Sequence, residues 1–306
     1  MKIRFSKVLE GYYLAANARR LSKDTIHDYS NTYRKFQSFL GEDPFIEDIS
    51  VEHIREFLAA QDVAKKTLLN YHIGLSALWT WAFNEKLVDD QIVRKVNRPR
   101  PEKRAIKPYS ETEIREMLNS LRYSKAYHRP GKCETVHRLA HEDRNRAMIL
   151  LLLDTGIRSS ELCGLKIHHF DLKARFIRVM GKGDKERILP FSARTGKALW
   201  RYLATREIDD LGRWLFVRQD DMDFDRNSLL KVFRVIGNRA GVSDVNIHRF
   251  RHTFAINFLR NGGDPWSLQM MLGHATLEMV KNYLALANAD LEKNHKIASP
   301  VDNWRL

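Results

Sequence analysis

The chain has 306 residues, enough for two domains that each bury a core. Hydrophobic residues make up 43% and charged residues 29%, a globular balance, and no apolar run approaches the ~20 residues of a helical membrane span, which excludes that class. A net charge of +14 points to a polyanionic partner, and two cysteines, Cys133 and Cys163, are too few for a disulfide framework.

The charge is unevenly spread. Residues 1–90 hold 12 Lys/Arg against 13 Asp/Glu, residues 91–107 hold 7 against 1, and residues 108–306 hold 33 against 24. The excess lies in a short middle segment and in the second half. Charges at Lys2, Arg4 and Lys7 have no apolar run behind them, so no signal peptide is expected and the cytoplasm is the expected compartment.

Residues 1–90 read as four or five helices. Ser22 is a candidate N-cap for a run through Leu40, with Tyr29, Tyr33, Phe36 and Leu40 at helical spacing and Gly41-Glu42-Asp43-Pro44 ending it. Ser50 can cap the next helix, with His53 three residues later. Thr67 to Phe83 predicts a long helix with Leu68, Tyr71, Leu75, Leu78 and Phe83 on its apolar stripe. Lys65 and Lys66 stand at the start of that helix, where backbone N–H groups suit a phosphate; a plain solvated face explains them equally well.

Residues 91–107 read as an extended linker, because Pro99, Pro101 and Pro108 disfavour helix. Arg98, Arg100, Lys103 and Arg104 are expected to track a DNA backbone from it. Ser110-Glu111-Thr112-Glu113 then opens a second domain with a capping-box pattern. In residues 122–142, Cys133, His137 and His141 recur every four positions and would share one helical face, a weak zinc pattern, so no metal site is expected. An apolar helix, Arg146 to Leu153, follows. Strands at 176–179 and 187–190 flank a glycine-bearing turn at 180–186, and the rest reads helical through Tyr283.

Five motifs in this second half carry chemistry. They are Thr155-Gly156-Ile157-Arg158, Gly181-Lys182-Gly183, His248-Arg249-Phe250-Arg251, Leu272-Gly273-His274 and Tyr283. Two guanidiniums can clamp a phosphate, and His248 and Arg251 at i, i+3 share a helical face. A lysine at a hairpin tip can protonate a leaving oxygen, and Lys185 is its rival. Glu161, one turn after Arg158, can orient an active-site group. An isolated His-x-x-Arg or Gly-Lys-Gly means little; the ordered set is what informs.

The ordered set resembles the tyrosine recombinase (integrase) family, most closely its small Xer-like bacterial members. Residues 155–162, 181–187, 248–255 and 272–276 carry the resemblance with Tyr283, and residues 122–142 look like an insertion. The resemblance implies a mainly α, two-domain clamp. A helical, SAM-like core-binding domain would occupy residues 1–90, and a mostly helical catalytic domain with a small β-sheet residues 108–306. It implies Arg158, Lys182, His248, Arg251, His274 and Tyr283 as catalytic residues, Tyr283 being the nucleophile. It also implies double-stranded DNA as partner, no cofactor, and a homotetramer on DNA, and leaves room for an accessory DNA-bending protein or a second recombinase.

The apolar tail after Tyr283, ending in Trp304 and Leu306, is expected to link protomers. A topoisomerase-like DNA relaxing enzyme and a non-catalytic architectural DNA binder are the alternatives.

Overall fold

The structure, a computed structural model, describes residues 2–102, 105–124, 135–181, 186–207, 210–274, 276–287, 295, 299 and 301. The chain divides into two compact units, Met1–Ala105 and Ile106–Leu306. Both are helical, and the second carries a small sheet.

The first unit holds Phe5–Ala18 (α1), Lys23–Leu40 (α2), Val51–Ala59 (α3) and Lys65–Asn84 (α4). The Ser22 hydroxyl accepts from Thr25 N–H at 3.2 Å to start α2, and Gly41, at φ 72°, ends it in the left-handed region that glycine adopts without strain. Ser50 and His53 form a reciprocal capping box at α3. The core is aromatic: Phe5, Tyr12, Tyr33, Phe36, Phe57 and Trp79 meet in tilted and edge-on pairs.

On α4 the buried stripe turns through Leu75, Leu78, Trp79 and Ala82. Phe83, expected on that stripe, falls past its edge and is 41% exposed. The segment read as linker begins inside this core: Ile92–Lys95 makes a 3-10 turn, and Val93 and Val96 are buried with the helices. Beyond them Arg98 and Arg100 are exposed, while Lys103 and Arg104 lie outside the described residues.

The second unit runs Glu111–Asn119 (α5), Glu142–Thr155 (α6), Ser159–Cys163 (α7), strands Phe170–Asp171 (β1), Phe176–Met180 (β2) and Glu186–Pro190 (β3), then Ala193–Leu203 (α8), Arg226–Ala240 (α9), Ile247–Arg260 (α10), Pro265–Leu272 (α11) and Glu278–Ala287 (α12). Ser110 and Glu113 close the expected capping box on α5. The sheet is antiparallel in the order β1-β2-β3, with Ile177 opposite Leu189. Ile177, Val179 and Leu189 point into the core while Arg178 and Ile188 face out, the period-two alternation of a half-buried sheet.

Two apolar clusters organise this unit. Met148, Leu152, Leu199, Phe233 and Phe250 belong to the larger, and Phe254, Ala255, Leu268, Leu272, Val280 and Tyr283 to the smaller. Arg249 ties the start of the unit to α10. It donates to the carbonyls of Lys107, Ser243 and Pro108, pairs with Glu113 at 2.8 Å, and lies over the Tyr109 ring.

His137 and His141 do not share the helical face expected of them. His137 sits in an extended stretch, where its carbonyl accepts from Ser124 N–H. His141 precedes α6 in the left-handed region at φ 66°. Cys133 lies outside the described residues. Among the described residues no helix is long and apolar enough to cross a membrane.

Candidate active site

The site grows from the end of α6. Gly156 caps that helix at φ 60°, where an L side chain is strained, and a Cβ there would stand 2.4 Å from Phe254 Cδ1. The tight turn lets Gly156 present its carbonyl to Arg251 Nη1 at 2.8 Å. It also delivers Arg158 to the N-cap of α7.

Glu161 and Arg158 close on each other. Arg158 N–H donates to Glu161 Oε2 at 2.7 Å, and Arg158 Nη1 to Oε1 at 2.9 Å. From the other side, Arg187 on β3 donates to the same two oxygens at 2.9 and 2.8 Å. Burial opposes ionisation of Glu161. The Arg187 guanidinium and the Arg158 amide outweigh burial and hold the carboxyl below its ordinary value. Two oxygens thus take four donors, and Arg158 is held from behind with its outer edge open to solvent.

The α10 helix supplies the centre. His248, Arg251 and His252 fall at i, i+3 and i+4, so one face carries all three. Arg251 is 1% exposed. Its guanidinium donates to Gly156 O, to Leu272 O at 2.6 Å and to His274 Nε2 at 2.9 Å. Burial first, then Arg158, lowers its pKa to about 10, which leaves it charged near neutral pH. Arg251 is therefore as much a strut as a clamp: it fixes two turns and one imidazole.

His274 arrives by a second glycine turn. Gly273 ends α11 at φ 61° and gives its carbonyl to Arg158 Nη2 at 3.2 Å. With Nε2 accepting from Arg251, the His274 proton sits on Nδ1. That atom is buried and has no partner among the described residues, so a donor stands ready. Burial, then Arg251 and Arg158, lowers the His274 pKa to about 4. His248 is shifted the same way by burial, Arg251 and Arg158. The site therefore prefers neutral imidazoles beside its fixed guanidiniums.

Tyr283, on α12, is 4% exposed. Its ring stacks parallel to His274 with centroids 6.4 Å apart, and its hydroxyl lies 2.9 Å from His252 Nδ1. Burial raises the phenol pKa against the pull of Arg251 and Arg158, so the hydroxyl is protonated near neutral pH.

Arg158, Glu161, His248, Arg251, His274 and Tyr283 therefore form one connected cluster. Lys182 and its rival Lys185 lie outside the described residues, between β2 and β3. Lys65 and Lys66 begin α4 in the first unit, and Lys65 makes an exposed pair with Glu102 at 3.0 Å. Sequence reasoning gave no role to Arg187 or His252. Arg187 left no usable signal, but His252 had one, its i+4 spacing from His248.

Comparison with known proteins identifies the family. Residues 132–290 match the phage integrase family and residues 9–86 its N-terminal SAM-like domain. The tyrosine recombinase XerC of Staphylococcus carnosus (strain TM300) is 28% identical over 96% of this chain and 98% of its own. The tyrosine recombinase XerD of Shewanella oneidensis is 25% identical over 93% of each.

Among solved structures, XerA recombinase is 27% identical, with a TM-score of 0.52 over 96% of this chain and 99% of that one. The Tn1549 transposon integrase, in complex with a circular intermediate DNA, superposes with a TM-score of 0.72 over 94% and 99%; at 18% identity it speaks for the fold. The chain belongs to the phage integrase family, the tyrosine recombinases, whose members are site-specific enzymes that cleave and rejoin DNA.

Proposed function

We infer that the chain binds duplex DNA at a specific site and cuts one strand at a time, with Tyr283 forming a 3′-phosphotyrosyl bond. The observation that carries this reading is the convergence of Arg158, Arg251, His274 and Tyr283, linked through the Gly273 turn, the Arg251–His274 contact and the His274–Tyr283 stack. Arg158 offers its open guanidinium edge and His274 its unpartnered Nδ1–H to the non-bridging oxygens of the scissile phosphate. Fixed donors of this kind lower the barrier because they need no reorganisation as charge develops, each being worth about 3 kcal/mol. His248, a neutral imidazole on the same helix as Arg251, completes the donor set.

Tyr283 releases its hydroxyl proton to solvent and attacks phosphorus while the bond to the 5′ oxygen breaks, and Lys182 protonates that oxygen. A phenol at pKa ~10 is a better leaving group than an aliphatic alcohol, so the covalent bond stays reversible and the strand can be rejoined. Glu161, the carboxylate of the cluster, already receives four donors from Arg158 and Arg187. Cleavage is accordingly expected to persist in excess chelator.

Several finer features complete the reading. The chain works as a homotetramer on paired sites, joined through the segment after Tyr283, with Arg98, Arg100, Lys103, Arg104, Lys65 and Lys66 on the DNA backbone. Most of that terminal segment lies outside the described residues. An accessory DNA-bending protein or a second recombinase fits the same scheme.

The test is strand transfer. A bound sequence is first selected from a random duplex pool, and two differently labelled duplexes carrying it are then mixed with the protein. Joined recombinant duplexes are expected. Relaxation of supercoiled DNA without joining would favour a topoisomerase, and binding without any cleavage an architectural protein.

A further inference from the structure

The hydroxyl of Tyr283 meets an imidazole outside the expected catalytic set. His252 Nδ1 lies 2.9 Å from it, with the two ring centroids 5.6 Å apart. His252 follows Arg251 directly and stands one turn after His248, whose ring meets it edge-on at 4.4 Å. The contact crosses from α10 to α12 and is built from the same helix face that supplies Arg251 and His248.

A phenol carries one hydrogen and turns freely about its C–O bond. An acceptor fixed beside it takes that hydrogen, sets the torsion, and leaves the oxygen lone pairs pointing elsewhere. A neutral imidazole can do this in the tautomer that bears its proton on Nε2. Burial, then His248 and Arg251, lowers the His252 pKa to about 4, so the ring stays an acceptor at neutral pH. So weak a base aims the hydroxyl rather than storing its proton.

We propose that His252 is the positioning residue for the nucleophile: its Nδ1 accepts the Tyr283 hydroxyl hydrogen and directs the phenol oxygen toward the scissile phosphorus. The inference rests on the reading of Tyr283 as nucleophile. It gives His252 a task separate from the one proposed for His248 and Arg251 on the same helix face. It also explains why Tyr283, though buried, has its oxygen held on a polar partner.

Two substitutions separate aiming from packing. H252F keeps a ring between His248 and Tyr283 but removes the acceptor. H252N places an amide oxygen near the position of Nδ1. Each is compared with the unaltered chain and with Y283F in single-turnover formation of the covalent adduct on a nicked suicide duplex. Melting temperature and DNA affinity are followed in parallel.

H252F is expected to bind DNA normally and to form adduct on the order of 10²-fold more slowly, the usual cost of a misdirected reactive group. H252N should recover most of that loss. If the phenyl ring proves too large to fold, H252L serves the same comparison. Adduct formation by H252F at the unaltered rate or faster, or H252N as slow as H252F, overturns the inference while an inert Y283F leaves the nucleophile assignment standing. Adduct formation by Y283F overturns both.

Discussion

Arg187 and Glu161 face each other as a two-pronged pair, with guanidinium nitrogens 2.9 and 2.8 Å from the two carboxylate oxygens, and the same carboxylate holds Arg158. A strand residue thereby fixes the pose of a helix-capping arginine 29 positions before it in sequence (187 − 158). Arg187 also donates to Met271 O at 2.9 Å, just ahead of the turn that delivers His274. One side chain thus braces both the carboxylate that holds Arg158 and the end of the helix that leads to His274.

Removing that brace should be costly. R187M is expected to destabilise the second unit by about 3–5 kcal/mol, the usual loss when one partner of a buried pair is deleted. It should also slow cleavage, because Arg158 loses its backing. The R187M/E161Q double variant should be less destabilised than the sum of the singles, since the two changes remove the two ends of one pair. Chemical denaturation of the four proteins measures the coupling, and strict additivity would contradict the pairing.

Gly156 is expected to tolerate no side chain. G156A places a Cβ 2.4 Å from Phe254 Cδ1 and 3.0 Å from Leu272 Cδ2, in a backbone conformation that disfavours it. Overpacking alone costs about 1–3 kcal/mol. The shift of Gly156 O from Arg251 should add a loss of cleavage beyond the loss of stability. Cleavage assayed well below the melting temperature separates the two effects, and normal activity there would show that Arg251 does not depend on this carbonyl.

How much of this was legible beforehand depended on sequence distance. His248 and Arg251 could be placed on one face because helical spacing fixes them locally, and Ser22, Ser50 and Ser110 were readable as caps for the same reason. The grouping of Arg158, His274 and Tyr283 came from resemblance, since their meeting depends on turns at Gly156 and Gly273 that spacing does not reveal. Arg187 and His252 were missed as site residues because their partners lie 26 and 31 residues away. Phe83 was misjudged because the buried stripe of α4 rotates past it, and His137 and His141 because even spacing was taken for helix where the backbone is extended and then left-handed.

Acid should unsettle the site. His252 and His274 have pKa values lowered to about 4, whereas an unfolded histidine titrates near ~6.5. Between those values the unfolded chain binds protons that the folded chain does not, so stability rises with pH across that window. Their contribution is complete above ~6.5 and is lost as pH falls toward about 4. Melting temperature should fall between pH 7 and 5, and fall less steeply in an H252N/H274N double variant, as a calorimetric series would reveal. Equal slopes in the two proteins would remove these rings as the source.

Neutralising Arg98, Arg100, Lys103 and Arg104 should weaken binding to every DNA sequence alike, because phosphate contacts position without specifying. The slope of log affinity against log salt should flatten by about 0.9 per lost contact. Fluorescence anisotropy over a salt series measures it. An unchanged slope would leave this stretch as a connector.

The most direct measurement of the central claim is the identity of the residue that becomes bound to DNA. Adduct trapped on a nicked suicide duplex is digested with nuclease and trypsin, and the modified peptide is sequenced by mass spectrometry. The account predicts a nucleotide attached through its 3′ phosphate to Tyr283, within the tryptic peptide spanning residues 282–293, whose only tyrosine it is. A nucleotide on any other residue, or attachment through a 5′ phosphate, would contradict it.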